Sequence, residues 1–421
     1  MKGRVNMSLL FTPKKIGKLE IKNRFVQSAT FTASAQPNGE ISEQNIKRHA
    51  RLAKGEVGLI VKGALFVHPK GMLGFGQAGI HNNEMISGLK KLTQAVHNEG
   101  GKIVFQLHHA GNQTHKHVIG CTPLAPSAFE KDPIYAAVPK ELIEEEILEI
   151  IECFGKAAAR AAEAGADGVQ IHGAHGYLVS KFISPYFNRR TDAWGGTDEK
   201  RFRFLKEIIL SIRRHAPELP LMLKMNCQDY TPEDGITYDL ALKYAKWLTE
   251  LGLDALELSS GSSHSVMHVC MGAVPVDEFA LSMPVWKRSI FKYLFKSHYA
   301  GKYALTSEWN LGATRKVRSV VENLPQFVVG GIRSVDVMNR ILNNNLADFI
   351  SMCRPLIREP NLVKNIRLGK STEAMCDSCN KCLASTSVLN IPLRCFSHYS
   401  TEKISQMRKE QLRYYKTGSV T

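Results

Sequence analysis

The residues of this chain that could do chemistry sit in a handful of short phrases. Gln106 with His108 and His109, His172 with His175, Thr30 and Ser259 offer hydrogen bonds, and Lys224 offers a cation. Gly330-Gly331 and Cys353-Arg354 form a further pair of phrases. Bare glycine amides can approach phosphate oxygens while an arginine fork supplies charge, so this pair reads as a grip on a phosphorylated cofactor. A tight turn explains either glycine alone; the two phrases together favour the phosphate. Nearer the C-terminus, Cys376, Cys379, Cys382 and Cys395 follow the spacing C-x2-C-x2-C-x12-C. Four thiolates so close suit a four-iron (4Fe-4S) cluster or a zinc ion, with free thiols as the plain alternative.

Such groups need elements to position them, and a recurring phrase supplies these. A helical pattern ends in a small turn, an acidic or apolar residue follows, and a short apolar run then stops at a polar residue. The phrase appears at 58–63, 166–172, 253–259 and 347–352. Further apolar runs at 24–29, 102–107, 220–225 and 326–329 bring the expected strands to eight. Helical patterns lie between them, among them 84–98, 142–164, 199–215 and 238–251. Strands alternating with helices predict a parallel sheet, and eight such units predict a closed (β/α)8 TIM barrel of the α/β class. A doubly wound open sheet is the competitor, yet no Gly-x-Gly-x-x-Gly opens the first strand–helix turn. In a barrel the chemistry belongs at the C-terminal ends of the strands, where the donors, the cation and the glycine–arginine pair fall. The barrel is read as residues 1–370 with a long, basic, aromatic insertion at 262–307; residues 371–421 are read as a C-terminal cysteine-containing tail with a partly helical end.

At 421 residues, with 44% hydrophobic and 22% charged residues, the composition is ordinary for a soluble globular protein. No run approaches the roughly 20 apolar residues that a membrane helix needs, and the apolar start has no long hydrophobic region or cleavage site. Neither a membrane span nor a signal peptide is therefore expected. Nine cysteines without an even framework before the tail suit a reducing compartment, so the expected location is cytoplasmic. The net charge of +16 reads first as a solubilising surface and second as an attraction for anionic cofactors or acyl-CoA-like substrates. Nucleic-acid binding has no recognition motif to support it.

Several phrases together resemble the old yellow enzyme family of NADH:flavin oxidoreductases. These are Asn23-Arg24-Phe25-Val26 leading to Ser28-Ala29-Thr30, Gln106 to Gly111, Pro123 to Ser127, His172 to Leu178, Phe182 to Pro185, and Asn188 to Asp192. Gly195-Gly196, Arg201 to Phe204, Gly330 to Arg333 and Arg354 to Ile357 continue the series, which spans roughly residues 8–370 in the family's order. The resemblance implies an FMN enzyme that uses NAD(P)H as co-substrate and reduces an activated C=C bond or a similar small-molecule acceptor. It implies that Ser28, Ala29, Thr30 and Gly63 line the flavin, with Gln106 at the pyrimidine end of the ring and Lys224 near N1 and C2=O. Gly330, Gly331, Cys353 and Arg354 would hold the phosphate. His172 and His175 would grip the substrate oxygen as neutral donors, and Tyr177 would protonate the α-carbon. Packing at the barrel mouth is the plain alternative for the two histidines, and a zinc pair lacks a third ligand nearby.

The sequence departs from the family in places. Ala29 stands where Pro is frequent, and Phe31 stands where Thr or Cys tunes the flavin potential by hydrogen bonding, which Phe31 cannot do. The larger relatives that resemble 2,4-dienoyl-CoA reductase carry a four-iron cluster on C-x2-C-x3-C-x11-C, so the third cysteine here comes one residue early. A cluster would require an electron-transfer partner, and gives a second reading as an iron–sulfur reductase or demethylase. A third reading is a non-catalytic basic barrel. A homo-oligomer is compatible with each.

Overall fold

The computed structural model describes residues 8–128, 131–135, 137–299 and 302–417. Its strands are β1 (Phe25–Gln27), β2 (Leu59–Phe66), β3 (Lys102–His108), β4 (Gly168–Gly173), β5 (Leu221–Asn226), β6 (Ala255–Ser259), β7 (Gln326–Val329) and β8 (Phe349–Met352). All eight are parallel and close in the order β6-β7-β8-β1-β2-β3-β4-β5, which is the expected TIM barrel. Eight helices alternate with the strands: α1 (Glu43–Lys54), α2 (Met85–Asn98), α3 (Glu144–Glu163), α4 (Asp198–His215), α5 (Tyr238–Glu250), then α7 (Leu311–Arg318), α8 (Val335–Asn343) and α9 (Leu362–Arg367). The insertion holds α6 (Arg288–Tyr299), and the tail ends in α10 (Thr401–Thr417).

The recurring phrase has a physical cause. Gly165 and Gly252 take φ of +79° and +72° at the ends of α3 and α5, a conformation in which a Cβ would be strained. The aspartate two residues on then reaches sideways to the neighbouring strand. Asp167 accepts from the Ile103 amide at 2.8 Å, Asp254 from the Leu221 amide at 2.8 Å, and Asp348 from the Gln326 amide at 2.9 Å. Each acid satisfies a strand-opening donor that has no ladder partner, and so fixes where the next strand begins.

Inside the barrel, side chains on each strand alternate in and out. The lower inward positions are apolar: Val26, Leu59, Val61, Val104, Met222, Ala255, Phe327 and Phe349 pack with Ile16 and Ile21 of a short N-terminal hairpin. Two residues further along the strands, the same parity turns polar, giving buried Ser28, Gln106, Gln170, Lys224, Glu257 and Ser351. One more step brings His108, His172, Asn226, Ser259 and Cys353. The site is therefore a polar layer on a greasy floor, set by strand register.

Candidate active site

Above the polar layer lies a cavity of about 1300 Å³ with its mouth included. Its walls bring together Ser28, Ala29, Thr30, Gln106, His172, His175, Tyr177, Lys224, Gly330, Gly331, Cys353 and Arg354, which come from six of the eight strand ends. Gly63 is the exception among the expected lining residues. A register shift in β2 between Lys62 and Leu65 moves it off the wall, and a Cβ there would lie 2.5 Å from the Ala29 Cβ. Its missing side chain makes room for Ala29, not directly for a ligand.

The inner end of the cavity is built on register. His172 pairs with Lys224, and Lys224 with Glu257, across adjacent strands. Lys224 Nζ lies 3.2 Å from Glu257 Oε1 and donates to Ser28 Oγ at 2.8 Å. Glu257, fully buried, also accepts from Ser28 and Ser351 at 2.8 Å each and from Gln170 Nε2 at 3.0 Å. Gln170 in turn accepts from Gln106 Nε2 at 2.8 Å.

On the wall beside it, three imidazoles and a phenol pack edge to face. The Tyr177 ring lies 4.5 Å from His108 and 4.7 Å from His172, centroid to centroid. Burial holds His172 and His175 well below the usual histidine range and pulls His108 down to about 3, so all three are uncharged at neutral pH. His172 Nδ1 accepts from the Ala174 amide at 3.4 Å, which leaves Nε2–H as its donor. His175 Nε2 meets Ser259 Oγ at 2.7 Å. Burial pushes the Tyr177 phenol up to about 12, so it keeps its proton. Neither ring nitrogen of His108 has a partner.

The outer end carries the cations. Gly330 and Gly331 have φ of +131° and +71°, and a Cβ on Gly330 would lie 2.8 Å from the ring of Trp309. Arg354 stands with its guanidinium carbon 5.9 Å from that ring and uses one nitrogen on the Met271 carbonyl (2.8 Å) and Asn380 Oδ1 (2.6 Å). Thr30 Oγ1 lies 3.1 Å from Cys353 Sγ. Arg48, from α1, is within electrostatic reach of Cys353, and its Nη2 is buried without a partner. Burial lowers this guanidinium to about 10.

The tail completes the wall. Cys382, Leu383, Thr386, Ser387 and Leu393 line the cavity, and the Leu393 amide donates to the Thr32 carbonyl at 2.9 Å. The expected ligand set of Cys376, Cys379, Cys382 and Cys395 is not assembled. Among the described residues no three His, Cys, Asp or Glu side chains converge to hold a metal ion. Cys382 faces the cavity, Cys376 lies 4.0 Å from Arg333 Nη2, and Cys395 lies 3.3 Å from Ser397 Oγ. Cys382 sits in the short helix Lys381–Leu383.

Sequence reasoning missed Gln170, Glu257, Arg48 and Trp309. The first two carried a usable signal, since each lies two residues from a recognised or apolar inward position. Arg48 had none, because it shares its helix with Lys47, Arg51 and Lys54.

These residues fit an FMN. The buried, unpartnered Nη2 of Arg48, the φ-positive glycines and Arg354 together suit a phosphate, and the Lys224–Gln106 end suits the polar edge of the ring. Residues 9–277 match the family described as NADH:flavin oxidoreductase / NADH oxidase. Over 391 residues the chain is 34% identical to an NADH oxidase of Thermoanaerobacter brockii, covering 92% of this chain and 55% of that protein. Over 365 residues it is 33% identical to an NADPH dehydrogenase of Bacillus subtilis, covering 86% of this chain and 96% of that protein. Among solved structures, a 2-naphthoyl-CoA reductase in complex with 2-naphthoyl-CoA superposes with TM-score 0.80 at 26% identity, over 95% of this chain and 58% of that one. Morphinone reductase shares the fold, with TM-score 0.69 over 87% of this chain and 91% of that one at 24% identity. The chain thus spans little more than half the length of the Thermoanaerobacter brockii protein and of the 2-naphthoyl-CoA reductase chain. The match over most of the barrel, with the site residues in order on it, makes this chain a member of the NADH:flavin oxidoreductase, or old yellow enzyme, family.

Proposed function

We propose that this protein is an FMN-dependent NAD(P)H oxidoreductase that reduces the activated C=C bond of an enone- or enoate-type small molecule. The observation that carries the reading is one cavity with a buried cation and amide at its inner end, a guanidinium and glycine amides at its outer end, and neutral donors between. FMN, when bound, takes a hydride from NAD(P)H and returns it to the acceptor.

The chain's own residues do the rest. Lys224 and Gln106 would hold the pyrimidine edge, while Arg354, Arg48, Cys353 and the amides of Gly330 and Gly331 would hold the phosphate. His172 offers Nε2–H to the substrate carbonyl oxygen, with His175 beside it. Being uncharged, both polarise the carbonyl without donating a full proton. Tyr177, still protonated at neutral pH, supplies the proton to the α-carbon. In this reading electrons enter as hydride from NAD(P)H. All nine cysteines are free, which favours a reducing, cytoplasmic location. No helix among the described residues is long and apolar enough to cross a membrane.

Flavin analysis of the purified protein, followed by anaerobic titration, tests this. A yellow protein with one FMN per chain, bleached by NAD(P)H and reoxidised by cyclohexenone with formation of the saturated ketone, is expected. A colourless protein that takes up no FMN would overturn it.

A further inference from the structure

We propose that Glu257 is the positioning residue that sets the hydrogen-bond polarity of the cavity's inner end and holds down the reduction potential of a flavin bound there. This rests on the FMN reading.

A carboxylate only accepts hydrogen bonds. Gln170 must therefore give Glu257 its amide nitrogen, as it does at 3.0 Å, and turn its oxygen toward Gln106. Gln106 must then answer with nitrogen, at 2.8 Å, so that its own Oε1 faces away from Gln170. That oxygen is 3.0 Å from where a Gly63 Cβ would stand, beside Ala29 on the cavity wall. One buried charge thus dictates the direction of two amides in series. The result is an acceptor on Gln106 and a donor on Lys224, both residues that line the cavity. The isoalloxazine edge asks for this pattern, because N3–H donates while N1 and C2=O accept.

The second consequence is electrostatic. Lys224 is the nearest cation to the inner end, and Glu257 lies 3.2 Å from it with no exposure to water. The pair sums to zero, so negative charge on a reduced flavin meets an oriented dipole instead of a net cation. The titratable rings of that wall, His108, His172, His175 and Tyr177, are uncharged at neutral pH and cannot restore the balance.

The test uses the FMN-loaded protein as wild type, Glu257→Gln, Glu257→Asp and Gln170→Leu. The midpoint potential is read by dye equilibration, and dissociation constants are measured for FMN and for N3-methyl-FMN. Wild type should bind the methylated flavin at least tenfold more weakly. Glu257→Gln lets both amides reverse and removes the negative charge. Its preference for FMN over the methylated form should fall toward one, and its potential should rise by about 30 mV, the equivalent of a tenfold gain for the reduced form. Glu257→Asp should keep the wild-type potential. Gln170→Leu cuts the relay but keeps the ion pair, so it should lose the discrimination alone.

Should Glu257→Gln fail to fold, the wild-type discrimination and the Gln170→Leu variant still decide. An unmoved potential in Glu257→Gln, or equal wild-type affinity for the two flavins, overturns the inference. A wild type that binds neither flavin overturns instead the function it rests on.

Discussion

Lys62 offers a stabilising substitution whose size and pH dependence follow from its surroundings. It lies on β2 facing away from the barrel interior, is 1% exposed, and donates from Nζ to the Gly63 carbonyl at 2.9 Å. Burial, reinforced by the like charge of Arg48, pulls its ammonium from 10.5 down to about 7. The full drop corresponds to about 5 kcal/mol, at roughly 1.4 kcal/mol for each pH unit. Between pH 7 and 10.5 the unfolded chain holds a proton that the folded chain does not, so folding grows more favourable as pH rises through that window. At pH 7 the residual cost is about 4 kcal/mol, and at about pH 9.5 it is about 1.5 kcal/mol. Lys62→Met keeps the length, removes this cost, and gives up one hydrogen bond of about 1 kcal/mol. The variant should therefore be about 3 kcal/mol more stable than wild type at pH 7 and nearly equal to it at about pH 9.5. Urea unfolding followed by circular dichroism at both pH values measures this. A methionine variant that is weaker at pH 7, or whose advantage is the same at both, would refute the reasoning.

Other outcomes follow from the site. Tyr177→Phe should leave flavin reduction by NAD(P)H unchanged and slow reoxidation by an enone by about 10²–10⁴-fold, while reoxidation by a quinone, which needs no carbon protonation, stays fast; stopped-flow measurement of each half-reaction separates these. Wild-type reoxidation should be level between about pH 6 and 9, because Tyr177 loses its proton only at about 12. Arg48→Met should weaken FMN by about tenfold or more and leave riboflavin binding unaltered, since a charge-assisted contact to phosphate contributes roughly 1.5–3 kcal/mol; equal losses for both flavins would remove Arg48 from the phosphate site. Iron, sulfide and zinc analysis should find none in stoichiometric amount, and Cys379→Ser should keep full activity.

The barrel was legible because its signals are local. Glycines that end helices, aspartates that cap the next strand and apolar runs all recur within a few residues of one another, so all eight strands fell near their observed places. The site was legible where strand ends carry it: Lys224, His172 and Gln106 needed only the rule that chemistry sits at those ends. Glu257 escaped because a lone acid between Leu256 and Leu258 reads as an interruption until its inward parity is traced. Trp309 escaped for a different reason, since its contact with Gly330 depends on how a long insertion folds back. The tail cysteines are close in sequence, yet among the described residues no three His, Cys, Asp or Glu side chains converge there, because spacing along a chain does not fix separation in space.

Since Cys382, Leu383, Thr386 and Leu393 form part of the cavity wall, the tail is part of the site rather than an appendage. Arg354 is tied to it through Asn380, so the tail also fixes the guanidinium that we propose holds the phosphate. Cofactor loading and tail docking should therefore be coupled. A protease that nicks the linker around Gly369 to Ala374 should meet resistance when flavin is present and none when it is stripped away.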